Sequence, residues 1–380
     1  MKLKGKKIAL CVTGSVAAIQ SPLLARELMR HGALVTAYMS RGAMDIIHKN
    51  TLEFATGREV VTEITGKLEH LYEFDLVIIA PATANTIGKI SGGISDTPAS
   101  ALVSASTCRA LIAPAMDLRM YENCIFRKNV KKLKGLGFFL IEPKFEEGKA
   151  KLADIPDIVD AAIFELSEKD YAGKNIVVTA GPTLEYIDPI RIITNKSSGK
   201  MGIAIAREAY FRGAKVKLIY GAGTARVPRY LDAENVETSK DMLKAVKTAI
   251  SDCDVYISAA AVSDFTLDPE AKKIETERAP LTLKLIPAQK ILENIKKTKA
   301  VKVGFKALYD VSKKELCDAG VNSMKKYGLD MVVANDVKSG SLGSDENDVY
   351  IIGKKGKVIH MKHTKGEIAK AILDLVKKGE

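Results

Sequence analysis

Residues 74–86 read FDLVIIAPATANT, and their reading decides the fold. The apolar run is a β-strand, and Pro81, Thr83, Asn85 and Thr86 crowd proline, hydroxyl and amide groups at its C-terminal end. That end of a central strand is where α/β proteins bind ligands. Upstream, KIALCVT (7–13) and LVTAYM (34–39) read as strands; downstream, so do ALIAP (110–114) and GFFLIEP (137–143). Between them lie helical patterns such as VAAIQSPLLARELMRHG, with apolar residues at helical spacing and a glycine stop. Strand–helix alternation predicts a doubly wound parallel sheet.

The polar stretch LSEKDYAGKN (166–175) marks a boundary, after which the same grammar restarts. NIVVTAG (175–181), KVKLIY (215–220), DVYISAAA (254–261), VKVGF (301–305) and DMVVAND (330–336) read as strands. Helices are expected at about 200–212 and 312–327, with two strands and a helix at the C-terminus. The expectation is two doubly wound, Rossmann-like α/β domains, residues 1–170 and 171–380, the first flavodoxin-like.

Composition agrees with two globular domains: 380 residues, 47% hydrophobic and 27% charged. No apolar run approaches the roughly 20 residues of a membrane span. The five cysteines (11, 108, 124, 253 and 317) have no metal spacing, which points to a reducing cytoplasm. The net charge of +12 is spread along the chain without a basic-aromatic block, so anionic small molecules explain it better than nucleic acid.

The turn Thr13-Gly14-Ser15-Val16-Ala17-Ala18 lacks a dinucleotide fingerprint, which disfavours an NAD site. Ser15 has two readings, a plain helix cap or a hydroxyl beside phosphate-binding N–H groups, and Ser40 repeats both. The sharper constellation is Pro81-Ala82-Thr83-Ala84-Asn85-Thr86 followed by Pro114-Ala115-Met116-Asp117-Leu118-Arg119-Met120-Tyr121. On these residues the first half, about 5–165, resembles the flavoprotein cysteine decarboxylases. The resemblance implies FMN-dependent oxidative decarboxylation, with CO2 lost from a thioaldehyde that serves as electron sink. It implies that Ser15, Ser40, Thr83 and Asn85 hold FMN and that His70 is the catalytic base.

The chain departs from that family in three places. The segment from His70 to Asp75 is shorter. Asp117 stands where many members have an asparagine that binds the substrate carboxylate. The flap after the last strand, EEGKAKL (146–152), lacks the family's proton-donating cysteine. Lys149 or Lys151 replaces that donor, or both are solvated or hold a phosphate. Asp117 is protonated, neutralised by Arg119 or Arg127, or itself the proton donor; the last accounts for two departures at once.

In the second half, Thr179-Ala180-Gly181-Pro182-Thr183, Asp188-Pro189-Ile190-Arg191 and Asn195-Lys196-Ser197-Ser198-Gly199-Lys200-Met201-Gly202 come in order. They are followed by Ala259-Ala260-Ala261-Val262-Ser263-Asp264-Phe265, Val303-Gly304-Phe305 and Val333-Ala334-Asn335-Asp336. The run 195–202 is not a Walker loop, but it is dense in donors at a helix start, which suits phosphate or an oxyanion. In this order the motifs resemble phosphopantothenate–cysteine ligases. With the decarboxylase-like half in front, the chain resembles the bifunctional coenzyme A biosynthesis proteins of bacteria and archaea.

That resemblance implies that 4′-phosphopantothenate is activated by CTP with Mg2+ to an acyl-cytidylate, which L-cysteine then converts to an amide. Asn195 would hold the acyl intermediate. Asp264 and Lys273 would bind the nucleotide and Phe305 would pack on it. The main chain at Ser258, Ala259 and Ala260 and a helix start at Pro287, Ala288, Gln289, Lys290 and Ile291 would line its site. The family's K-x-K-K becomes Lys273-Ile274-Glu275-Thr276, so only its first lysine remains. Lys326 is a phosphate contact or a solvated helix lysine. Trimers of the first domain and dimers of the second, together a dodecamer, are implied. A ligase carrying a degenerate flavin scaffold is the alternative.

Overall fold

The apolar runs become strands because each is flanked by a helix whose apolar face covers one side of a sheet. In the computed structural model, which describes residues 1–275, 281–339 and 343–379, the chain divides into two compact units, Met1–Ser167 and Glu168–Glu380.

In the first unit the order is β1 (Lys7–Val12), α1 (Ser21–Arg30), β2 (Leu34–Met39), α2 (Arg41–Met44), α3 (Lys49–Thr56), β3 (Leu76–Ala82), α4 (Ala84–Gly92) and α5 (Pro98–Ala105). It continues with β4 (Arg109–Pro114), β5 (Met116–Asp117), α6 (Leu118–Glu122), α7 (Cys124–Gly135), β6 (Phe139–Leu140), β7 (Lys144–Glu146), β8 (Lys149–Lys151) and α8 (Ile155–Leu166). The main sheet is parallel with order β2-β1-β3-β4-β6, the flavodoxin-like arrangement. Every residue of β3 is buried, as expected for a central parallel strand covered on both faces. The last strand is shorter than its apolar run: only Phe139 and Leu140 pair with β4. The flap is a hairpin in which β8 pairs antiparallel with both β5 and β7.

The second unit runs β9 (Asn175–Ala180), β10 (Leu184–Tyr186), β11 (Ile192–Thr194), α9 (Lys200–Phe211), β12 (Lys215–Tyr220), β13 (Asp232–Asn235), α10 (Ser239–Ala249) and β14 (Val255–Ser258). Then come β15 (Phe265–Thr266), β16 (Ile286–Pro287), α11 (Ile291–Asn294), β17 (Val301–Leu308), α12 (Lys313–Tyr327), β18 (Met331–Asp336), β19 (Glu346–Gly353), β20 (Val358–Thr364) and α13 (Lys365–Lys378). Its sheet has the order β13-β12-β9-β14-β17-β18-β19-β20. The strands are parallel from β13 to β18, and β19 and β20 add an antiparallel edge. The core beneath it gathers Ile176, Val178, Ile205, Leu218, Ile257, Val333 and Ile372. Strand order reverses between β9 and β14, so the loops at Gly181 and Ala259 lie at the switch point. Among the described residues no helix is long and apolar enough to cross a membrane.

Candidate active sites

In the first unit, three loops at the C-terminal ends of β1, β2 and β3 interlock. The Thr13 hydroxyl donates to Pro81 O (2.7 Å) and accepts from Thr83 N–H (3.0 Å), joining the first loop to the third. Gly14 joins the first to the second: a Cβ there would lie 3.0 Å from the Gly42 carbonyl carbon, so the two backbones touch where a side chain has no room. Ser15, Ser40 and Thr83 then stand at helix starts, where their hydroxyls accept from Ala17, Ala43 and Thr86 N–H at 3.3–3.4 Å. Asn85 is exposed on the first turn of α4. Hydroxyls and helix-start N–H groups around one loop cluster suit an anionic cofactor. Thr13 and Gly42, which build the cluster, were not singled out from sequence; nothing local marks contacts that join Gly14 to Gly42, 28 residues on, or Thr13 to residues 68 and 70 positions away.

His70 lies in a single 3-10 turn, Glu69–Leu71. The turn is pinned from behind, since Tyr38 on β2 donates its hydroxyl to Glu69 O (2.7 Å). The buried Glu69 carboxylate accepts from Thr65 N–H (2.9 Å) and from the Thr65 hydroxyl, and these bonds hold its pKa down. His70 Nδ1 is buried and has no hydrogen-bond partner among the described residues. A buried imidazole nitrogen without a partner is costly unless a ligand or water completes it, which fits a group facing substrate.

Asp117, the proton donor favoured by sequence, stands at the start of α6. Its carboxylate caps α6, accepting from Arg119 N–H (3.0 Å) and Arg119 Nε–H (3.1 Å). Those two bonds, with the charges of Arg119 and Lys149, hold its pKa below the usual carboxylate range. An acid stabilised in its ionised form is a poor donor, so the geometry favours neutralisation by Arg119 over donation. Arg127 has no bond to Asp117. Lys149 lies directly across the ladder from Asp117. Lys151 pairs with Glu146 (3.3 Å) and Glu147 (2.9 Å), which raises its pKa and ties up its proton.

In the second unit, α9 presses its start onto β9: a Cβ on Gly202 would meet Ala180 Cβ at 2.4 Å. The loop after β12 packs as closely, a Cβ on Gly221 falling 2.2 Å from Pro182 O. Gly221 and Gly223 were missed from sequence, although a G-x-G after a strand was the available signal. Asn195 reaches across the switch point, its amide donating to Ala261 O (3.1 Å) and Val262 O (3.4 Å). Buried Asp188 accepts from Ile190 N–H (2.8 Å), Arg191 N–H (2.7 Å), Ile274 N–H (3.1 Å) and the Arg191 guanidinium. Burial opposes its ionisation, yet these bonds hold its pKa well below the carboxylate range. Because Arg191 also donates to Ile274 O (3.0 Å), exposed Lys273 stands on an anchored strand of loop. Thr276, the last residue of the altered lysine motif, lies outside the described residues.

Asp264 and Lys290 form an ion pair at the surface, and Ala288 N–H donates to Asp264 O (3.0 Å). The pairing of β15 with β16 brings them together, with Phe265 opposite Pro287. The expected helix start at Pro287 is therefore a strand; the helix begins at Ile291, because Pro287 is taken up by that ladder. Gln289 is exposed beside them. Ser258 ends β14, while Ala259 N–H donates to Thr179 O (3.1 Å) and Ala260 N–H to the Thr179 hydroxyl (3.4 Å). Those two N–H groups are thus already engaged within the chain. Phe305 is half-buried against the core rather than standing free. Lys326 is placed apart, near the end of α12, where it pairs with Glu293 of α11 (3.6 Å). Among the described residues no group of three or more His, Cys, Asp and Glu could hold a metal ion.

A flavodoxin-like unit with an anion-suited loop cluster, joined to a second doubly wound unit with its own loop cluster at the switch point, defines a two-site α/β protein. Comparison with known proteins gives the same division. Residues 1–167 match the Flavoprotein family, and residues 171–379 match the DNA/pantothenate metabolism flavoprotein C-terminal domain. The chain is 46% identical to Coenzyme A biosynthesis bifunctional protein CoaBC of Thermococcus kodakarensis, over 99% of this chain and 96% of that protein. It is 40% identical to the protein of that name from Methanocaldococcus jannaschii, over 99% of this chain and 94% of the other. A crystal structure of the C-terminal domain of a CoaBC protein is 33% identical, with a TM-score of 0.47, covering 56% of this chain and 97% of that one. The chain belongs to the CoaBC family of bifunctional coenzyme A biosynthesis proteins, and its first unit is a flavoprotein.

Proposed function

We propose how the two units of this bifunctional enzyme of coenzyme A biosynthesis, a ligase and a decarboxylase, divide the work. The second unit (about 171–380) joins L-cysteine to 4′-phosphopantothenate at the expense of CTP. The first (about 1–170) decarboxylates the phosphopantothenoylcysteine to 4′-phosphopantetheine, with FMN as its flavin. The observation that supports this division is that each sheet has its own cluster of touching loops at its switch point, Thr13 with Pro81 and Thr83 in the first and Asn195 with Ala261 and Val262 in the second.

In the ligase reaction the substrate carboxylate attacks the α-phosphate of CTP, expelling pyrophosphate and leaving an acyl-cytidylate. The cysteine amine then displaces CMP. The start of α9 favours negative charge at this site, while the Lys200 ammonium is paired with Asp345 (2.7 Å). Lys273 is anchored for the nucleotide through Ile274. The Asn195 amide is placed to exchange its carbonyl partners at Ala261 and Val262 for the acyl group. The Asp264–Lys290 pair opens to admit the nucleotide. Mg2+ offsets the charge of the triphosphate when bound. Lys326, paired with Glu293, takes no part in this reading.

In the decarboxylase, Ser15, Ser40, Thr83 and Asn85 would hold the FMN, which accepts and returns the hydride equivalent that makes CO2 loss possible. His70 takes a proton through its unpartnered Nδ1, held in place by the Tyr38 bond. A ligase with a degenerate front half fits less well, because the hydroxyls and the loop contacts of the cluster are all present. Exposed Val16, Ile19, Leu23 and Phe54 support self-association of the first unit, as trimers beside ligase dimers. Free cysteines support a cytoplasmic setting. The test is paired: pyrophosphate release from CTP with phosphopantothenate and cysteine, and CO2 release from phosphopantothenoylcysteine by protein absorbing near ~450 nm, the flavin band. Loss of either activity in pure, flavin-loaded protein would overturn the corresponding half.

A further inference from the structure

We infer that Tyr256 is a positioning residue of the ligase: when the nucleotide takes the Ala260 N–H, the Tyr256 hydroxyl replaces that N–H at Thr179. This rests on the ligase reading of the second unit, in which the main chain at Ala260 lines the CTP site.

Tyr256 and Ser258 flank Ile257 on β14 and so lie on the same face of the sheet. The register sets Val177 of β9 beside Tyr256 and Thr179 beside Ser258. One face therefore carries the phenol, with the hydroxyls of Thr179 and Ser258 one step nearer the switch point. Helices α10 and α11 cover this face, and Met242, Val246 and Ile291 share one core cluster with the Tyr256 ring. Tyr256 and Thr179 are fully buried, and the Tyr256 hydroxyl has no hydrogen-bond partner among the described residues. Burial pushes the phenol pKa up to about 12, against the opposing pull of the Ser258 and Thr179 hydroxyls beside it. The group thus keeps its proton and is a donor. A buried donor left idle is costly, which points to a state of the protein in which it is used.

The loop above Tyr256 supplies that state. Ala259 N–H donates to Thr179 O (3.1 Å) and Ala261 N–H to Gly181 O (2.9 Å), two main-chain bonds that fix the loop. Between them, Ala260 N–H is held by a side chain, the Thr179 hydroxyl, at 3.4 Å. That is longer than the usual N–H···O range, so of the three it is the N–H that a ligand acceptor takes at least cost.

Its departure leaves Thr179 Oγ1 buried with an open acceptor position. The Tyr256 O–H turns to meet it, a rotation of one hydroxyl with no movement of the backbone. Thr179 Oγ1 is thus shared in turn by two donors, Ala260 N–H before the nucleotide binds and Tyr256 O–H afterwards. Tyr256 touches neither the nucleotide nor the reacting atoms; it acts through Thr179 and Ala260.

The test uses the full-length protein with 4′-phosphopantothenate, L-cysteine, CTP and Mg2+, read by pyrophosphate release. Tyr256→Phe removes only the hydroxyl. It should raise KM for CTP roughly three- to tenfold at unchanged kcat and leave KM for cysteine where it was. Calorimetric titration with CTP and Mg2+ should weaken by the same factor. Without ligand, the unfolding transition of the second unit should stay in place or move up, because an idle buried hydroxyl has been removed. Thr179→Val removes the shared acceptor, so adding Tyr256→Phe to it should cause no further rise in KM for CTP. An unchanged KM for CTP in Tyr256→Phe, beside a wild type that turns over, would overturn the proposal alone. So would an earlier unfolding transition in that variant, which would make the hydroxyl a structural group, and so would a rise in KM that persists in the Thr179→Val background. A wild type that releases no pyrophosphate from CTP would overturn the ligase reading and the proposal with it.

Discussion

The two loop clusters are built on the same topological feature but are held closed in different ways. In the first unit the interlocking bonds run between hydroxyls and main chain, Thr13 to Pro81 and Thr83, and the imidazole nitrogen of His70 is left without a partner. In the second, the groups expected to meet the substrates meet each other: Asn195 with Ala261 and Val262, Asp264 with Lys290. In the reading proposed above, neutral contacts preform the cofactor site of the first unit. In the second, the paired Asp264 and Lys290 limit the cost of leaving charge uncompensated while the proposed nucleotide site is empty.

Crossed substitutions break that comparison most sharply. His70→Asn should cut CO2 release about 10²–10⁴-fold while CTP-dependent pyrophosphate release continues. Asn195→Asp should do the reverse, slowing conversion of the acyl intermediate while CO2 release from supplied phosphopantothenoylcysteine stays normal. Equal loss of both activities in either variant would show that the sites are not separate.

One added methyl group at each cluster is the next largest effect. Gly202→Ala places a Cβ inside Ala180 and should destabilise the second unit by about 3 kcal/mol, seen as an earlier unfolding transition. Gly14→Ala meets backbone at the looser 3.0 Å and should cost about 1 kcal/mol, read chiefly as lower flavin content. A larger loss of stability at Gly14 than at Gly202 would reverse the expected order.

Lys273→Gln should raise KM for CTP about tenfold, through loss of one charge-assisted contact, with the flavin spectrum unchanged. The smallest effect is an acid one. Bonds from Arg212 and Lys377 hold Asp170 down to about 2 despite its burial. A depressed carboxylate contributes stability that is present above its unfolded pKa near ~4 and lost as pH falls through its folded value, here roughly 2 kcal/mol. Acid titration of the second unit's unfolding should show that loss between about pH 4 and pH 2, and Asp170→Asn should flatten it.

How far the sequence reaches differs along the chain. The strand around 76–82 and the helix at 200–211 are legible because burial periodicity is a local property. The pairing of β15 with β16 is not, since it joins residues 265–266 to 286–287, and it converts an expected helix start into a strand. The bonds of Asp117 also escape local reading, because its capping of α6 and its contact with Arg119 depend on the turn that follows β5.

By itself, then, the sequence determined the alternation of strands and helices, the two-unit organisation and the motif order that places the chain in its family. All of these follow from short-range patterning of apolar residues and turn formers. Only the tertiary structure decided which loops touch, at Gly14 against Gly42 and Gly202 against Ala180, and which charges are spent, as in Lys151 with its two glutamates. Contacts between distant segments depend on how layers pack, and a side chain's free charge depends on the partner that packing brings to it.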